Sequence, residues 1–200
     1  MKLKYIILYI ISAICLLTGC DSTLFSSRRD MEHLKPVLTM GLDRQGDGIL
    51  MSISTGTGPE GDPALVMTAA GAGIEDAIER LQDHAPENEL FYAHVRYILL
   101  GQSMTDDSIL PLLDWVERSP AMRMDTPMLV VQGSASEAVT DASDGGTDIT
   151  DRLLSLEREE RFRGRQITNL RDTAAGLLEQ GGALCTAAAA APSAEHLLYY

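Results

Sequence analysis

The side chains able to do nucleophilic, acid–base or metal chemistry are few, and their spacing does not favour it. Four histidines, His33, His84, His94 and His196, are scattered, with no His-Glu-x-x-His or comparable ligand pattern. No serine has the Gly-x-Ser-x-Gly surround of a strained nucleophile turn. No Gly-Lys-Ser/Thr loop is present to cradle a phosphate, and the glycines at 41, 46, 48, 56 and 58 read as hairpin and turn geometry. His94, within Phe91-Tyr92-Ala93-His94-Val95-Arg96-Tyr97, is open to two readings, a base or ligand and a hydrogen-bonded strand residue beside aromatics. The carboxylate pairs Glu159-Glu160 and Asp106-Asp107 read as solvated helix faces or caps, and Met122, Met124 and Met128 as core fillers or adaptable contacts. Arg158, Arg161 and Arg165 recur at helical spacing near Glu157, Glu159 and Glu160. They form either a salt-bridged exposed helix or a basic strip for lipid headgroups or a partner. The expectation is a chain with no catalytic residue, no cofactor and no metal.

Cysteine carries the one strong chemical signal. Lys2 and Lys4 precede an apolar run from Tyr5 to Leu17. The run is unbroken from Tyr5 to Ile11 and about a dozen residues in all, short of the roughly 20 that span a bilayer, and the pattern is that of an export signal. It ends Leu17-Thr18-Gly19-Cys20, which resembles the lipobox of bacterial lipoproteins. The resemblance implies a diacylglycerol on the Cys20 sulfur and cleavage just before it, so that residues 1–19 are signal peptide and 20–35 a lipidated tether. Two acyl chains hold a protein on a membrane where one gives marginal binding. Cys15 then lies in the discarded peptide, and Cys185 is left without an intramolecular cysteine partner.

Composition narrows the remaining classes. The chain has 200 residues, 45% apolar and 22% charged, enough for a domain with a sizeable core. Acidic residues outnumber basic ones 29 to 16, for a formal charge of -13. Loss of Lys2 and Lys4 with the signal would take this to -15. So anionic a chain is a poor ligand for phosphate backbones, and nucleic acid is excluded as a partner. It is also repelled by anionic lipid, which leaves attachment to the acyl chains.

The elements that must position any site follow from periodicity. Pro36–Leu42 reads as a strand, Asp43–Gly48 as a turn-rich link and Ile49–Ser54 as a second strand, giving a hairpin. Gly56–Asp62 is a polar loop. Ile74, Ala77, Ile78 and Leu81 mark a helix, and Leu90–Leu100 reads as one long strand. Thr105 is placed to cap a helix bearing Ile109, Leu112, Leu113 and Val116. Met128–Val131 is a strand covered on both faces, Ser134 caps a helix ending near Val139, and Asp141–Asp148 is a loop. Helices over Thr150–Arg163 and Thr168–Gln180 follow, then Gly181-Gly182 and an alanine-rich tail. The expected fold is α/β: a mixed sheet with an opening hairpin, helix-linked strands and helical cover, with α+β as the alternative. The domain is expected over 36–182, with 183–200 a linker or the start of a further domain.

In order along the chain, these landmarks resemble the Ger(x)C family of spore-germination lipoproteins, the C subunits of GerA-type germinant receptors. After Cys20 come Arg29-Asp30-Met31-Glu32 and Thr39-Met40-Gly41-Leu42-Asp43, then Leu90-Phe91-Tyr92-Ala93-His94 running to Leu100-Gly101. Arg118 closes a helix, Arg123 follows, and Gly133-Ser134-Ala135 comes after the apolar run. Asp30 stands where the family has glutamate, and the aromatic usual after the lipid cysteine is missing. The family-motif positions are thus Arg29, Glu32, Gly41, Asp43, Phe91, His94, Arg118, Arg123 and Gly133. The resemblance implies a non-catalytic subunit in spore germination, anchored through Cys20 on the extracytoplasmic face of the spore inner membrane beside integral membrane subunits. Two other classes stay open on the residues alone: a solute-binding lipoprotein of a transporter, and an exported hydrolase with His94 as base.

Overall fold

Strict alternation in two apolar strands sets the architecture. In β6 (Tyr97–Gly101), Ile98 and Leu100 face one layer while Tyr97 and Leu99 face the other, and in β7 (Met128–Val131) Met128 and Val130 oppose Leu129 and Val131. All eight side chains are buried, so helices must cover both faces. The structure, a computed structural model, describes residues 34–56, 64–105, 109–120, 122–144, 148–164, 166–180, 182–187 and 195–199. The lipobox positions Leu17, Thr18, Gly19 and Cys20, and the motif residues Arg29 and Glu32, lie outside them.

The remaining strands are β1 (Leu34–Pro36), β2 (Thr39–Gln45), β3 (Gly48–Ser54), β4 (Val66–Gly71), β5 (Glu89–Phe91), β8 (Gly182–Ala187) and β9 (Glu195–Tyr199). One sheet has the order β4-β3-β2-β6-β7-β8-β9, and β1 pairs with β5 in a second, two-stranded sheet. β2, β6, β7 and β8 run parallel in succession, while β4, β3 and β9 are antiparallel to their neighbours. The fold is α/β with a mixed sheet and an opening hairpin, as expected.

Helices α1 (Ile74–Asp83), α3 (Leu110–Arg118) and α6 (Leu170–Gln180) cover one face, through Ile74, Ala77 and Leu81, Leu112, Leu113, Trp115 and Val116, and Leu170 and Leu177. The other face is covered by α4 (Ala135–Asp144) and α5 (Ile149–Phe162), through Ala135, Val139, Ile149 and Leu153. The four-residue α2 (Gln102–Thr105) follows β6 directly. Met122 and Met128 are core residues and the partly buried Met124 packs against the same core, in keeping with their reading as fillers.

Several boundaries differ from the periodicity reading. The Leu90–Leu100 strand is two strands separated by a 3-10 turn, Tyr92–His94. The expected Pro36–Leu42 strand breaks in step with it, at Val37 and Leu38, because Leu38 O accepts from both Arg96 N (2.8 Å) and Tyr97 N (3.3 Å) and locks the two breaks together. β2 continues to Gln45, so the expected turn Asp43–Gly48 shrinks to Gly46-Asp47, where Gly46 takes φ +58°. Thr105 ends α2 instead of capping α3, whose N-cap position is Ile109. The helix at Ser134 runs to Asp144, into the expected loop. β4 had no counterpart in the reading, and β8 and β9 fall in and beside the stretch expected to be linker.

Candidate functional site

The opening hairpin has two unlike faces. Met40, Leu42, Ile49, Met51 and Ile53 point into the α1–α3–α6 layer. The opposite face offers Thr39, Gly41 and Asp43 on β2 and Ser52 and Ser54 on β3, all buried. Small and polar residues there do what bulky ones cannot: they let helix N-termini, with unpaired N–H groups, approach the sheet.

Two carboxylates receive those helices. Asp43, 5% exposed, accepts from Ser134 Oγ (2.9 Å), Ala135 N (2.9 Å) and Ser136 N (2.7 Å), capping α4 from across the sheet. Ser134 Oγ in turn accepts from Glu137 N at 3.3 Å. The glycines nearby are spatial requirements. A Cβ on Gly101 would fall on Asp43 Oδ1, and one on Gly41 would meet Ser52 Oγ at 2.5 Å and Ala135 O at 3.2 Å. Gly133 turns the chain into α4 at φ +100°, a region that disfavours other residues, and its carbonyl accepts from Gln102 N at 2.8 Å. At the second helix, Asp148 caps α5 through Thr150 N (3.0 Å) and accepts from Ser54 Oγ (3.3 Å), while Thr39 and Thr150 hydroxyls lie 3.0 Å apart.

This arrangement dictates what the place can do. The carboxyl ends of parallel strands beside a helix N-terminus are where α/β proteins bind anions. Here Asp43 fills that position with the chain's own carboxylate, and the nearest helix donors are spent on it. Gly41, Asp43 and Gly133, named separately in the sequence, therefore converge on one node. Gly101 and Ser134 complete it, legible only as companions in the same motifs.

The other motif residues stand apart. Phe91 ends β5, where its carbonyl accepts from Val37 N (2.9 Å). Its ring meets His94 edge-on, with centroids 5.3 Å apart and planes at 68°. His94 is exposed, on the 3-10 turn and not in a strand. Arg118 bridges two helices, bonding Asp114 on α3 (2.7 Å) and Glu75 on α1 (3.1 Å), and these partners raise its pKa. Arg123 forms a two-pronged pair with Asp125 (2.8 and 3.0 Å) that holds the Asp125 carboxyl below its ordinary value. All three arginine partners are exposed, so the pairs position side chains without adding much stability.

On α5 the salt-bridged reading holds for Arg161, which bonds Glu157 at 2.6 Å. Of the pair Glu159-Glu160, Glu159 is solvated as expected, but Glu160 is 2% exposed and bonds Arg163 at 3.1 Å. Glu157 also accepts from the buried Tyr97 hydroxyl at 2.5 Å; burial, then this bond, raises the Tyr97 pKa. A groove of about 380 Å³ lies alongside, lined by Asp125, Glu157, Arg161, Gln166, Ile167 and Asn169. Among the described residues no group of three or more histidines, cysteines or carboxylates could hold a metal ion. No described helix is long and apolar enough to cross a membrane.

No curated protein and no solved structure matches the chain. The family model described as the spore germination protein N-terminal domain matches residues 27–189. That span takes in Arg29 and Glu32, the Asp43 node and both arginine pairs. The chain belongs to this family of spore germination proteins.

Proposed function

We propose that this germination protein is held on the outer face of the spore inner membrane by acyl chains on Cys20. There it works without catalysis, by association with integral membrane subunits of a nutrient germinant receptor. The carrying observation is the family match beginning at residue 27, seven residues after Cys20 of the lipobox sequence Leu17–Cys20. The Asp43 node supports the non-catalytic part: its carboxylate and the helix donors satisfy one another, which suits a rigid presented surface better than a reaction centre. Confinement to a plane raises effective concentration, so a weak interface can be well occupied. The net charge of -13 opposes binding to anionic lipid, which makes the acyl chains the decisive attachment.

The experiment is Cys20→Ser in a spore former. The variant precursor should stay uncleaved and take up no acyl label, and its spores should respond to nutrients as deletion spores do. A labelled variant refutes the anchor. Unchanged responses to every nutrient after deletion refute the receptor role.

A further inference from the structure

The end of the sheet at which the parallel strands begin differs from the rest of the surface. α5 crosses that end strand by strand: Thr150 meets Thr39 of β2, and Glu157 meets Tyr97 of β6. The segment after it runs along the start of β7, where Met128 N donates to Thr168 O at 2.9 Å and Asn169 bridges Pro127. The chain enters the fold at the same end, from Leu34 through Val37 and Leu38 into Thr39. Leu34 lies 14 residues after Cys20, a segment able to span at most about 50 Å.

Phe162 closes α5 there and is 94% exposed, more than Leu178 (75%) or Leu110 (39%). Arginines flank it on both sides. From Arg158 to Arg171 there are five arginines and two glutamates, in a chain where acids outnumber bases 29 to 16. One of those glutamates, Glu160, is buried against Arg163. Three further carboxylates near Phe162 or the start of β7 each face an arginine: Glu157 bonds Arg161, Glu159 lies 3.7 Å from Arg163, and Asp125 bonds Arg123. Arg161 and Arg163 remain 79% and 43% exposed, with guanidinium donors to spare.

We propose that this end, Phe162 with Arg161 and Arg163, is the face on which the tethered domain rests against an anionic phospholipid bilayer. The proposal builds on anchorage through Cys20. Charge complementarity selects the occupant. Repulsion turns acidic faces away from such a membrane, screening limits the contest to charges within about 8 Å of it, and the arginine cluster is what remains to approach. An exposed aromatic among arginines is the composition of an interfacial contact, the ring entering the headgroup boundary and the guanidiniums meeting phosphate.

The test places Phe162→Trp in the full chain, reconstituted into vesicles of phosphatidylcholine alone or with phosphatidylglycerol. The native Trp115 is buried in the core, and the unsubstituted chain supplies its background. With phosphatidylglycerol, emission from the introduced indole should shift to the blue and be quenched about twofold by brominated acyl chains. Leu178→Trp should report water in both vesicles. Adding Arg161→Gln and Arg163→Gln to the Phe162→Trp chain should abolish most of the quenching. A floated, acylated Phe162→Trp chain whose new indole stays in water overturns the proposal and leaves anchorage standing. An indole shielded only after the integral membrane subunits are added also overturns it, assigning the face to protein. A free Cys20 thiol and failure to float defeat anchorage instead, and the response of the Phe162→Trp chain to added phosphatidylglycerol vesicles then decides the surface contact by itself.

Discussion

Asp43 gathers three donors from the start of α4, so its removal strands a hydroxyl and two amides in a buried place. Losing the cap and leaving those donors unmet should cost about 2–4 kcal/mol in Asp43→Ala, read as a lowered urea midpoint. Asp43→Asn should cost less, since one oxygen still accepts. Gly101→Ala should be destabilising for a different reason: the new methyl occupies the space of Asp43 Oδ1 and displaces the carboxylate, at about 1–3 kcal/mol. The two effects share one atom, so they should not add. Once Asp43 is alanine, most of the Gly101→Ala penalty should vanish, and a double-mutant cycle should return a coupling on the order of 1–2 kcal/mol. Additive losses would separate Gly101 from the Asp43 contact.

At the level of helices and strands, Asp148 has the corresponding role for α5. Asp148→Ala removes the N-cap bond to Thr150 and the tie to Ser54, at about 1–2 kcal/mol. The loss should be local: hydrogen exchange should quicken along the first turns of α5 while β6 and β7 keep their protection. Uniform quickening would mean that the cap supports the whole fold. How far such relations could be read in advance depended on the signal. The hairpin, α1 and β7 were legible because their apolar periods are clean, as in Ile49, Met51 and Ile53 or Ile74, Ala77 and Leu81. β4, Val66–Gly71, went unread because alanines and a glycine give little alternation, and its identity comes from pairing with β3. The break at Tyr92–His94 was invisible because its cause is Leu38, more than fifty residues earlier. For the node, residue types gave Gly41, Asp43 and Gly133 as positions without a role. Only the parallel register of β2 with β6 puts Gly101 against Asp43. The buried state of Glu160 had no local signal, since its run of charges looks solvated.

For the molecule as a whole, stability should fall at both ends of the pH range, slightly at the acid end, where the shifted carboxyls are exposed, and more at the alkaline end, where burial shifts the tyrosines. Asp76 has its pKa lowered by the hydrogen bond from Ala72 N and by Arg80, and Asp125 by Arg123. A lowered folded pKa means that the unfolded chain binds protons first. Their contribution is therefore present above the ordinary value of 3.8 and is lost as pH falls through and below it. Tyr92 and Tyr97 are shifted upward, both by burial and Tyr97 also by Glu157. The unfolded chain then releases protons first, so stability is full below the ordinary tyrosine value of 10.0 and is lost as pH rises past it. The two tyrosines are separable at neutral pH. The Tyr92 hydroxyl is buried with no hydrogen-bond partner among the described residues, so Tyr92→Phe should leave the urea midpoint unchanged or slightly raised. Tyr97→Phe breaks the bond to Glu157 and should lower stability by about 1 kcal/mol, with a correspondingly lower midpoint. Above about pH 10 the order changes, because a phenylalanine has no proton to lose, and both variants should decline less steeply than the parent. Urea midpoints followed across the alkaline range decide the matter. An alkaline limb as steep in the doubly substituted chain as in the parent would place its origin outside these two side chains.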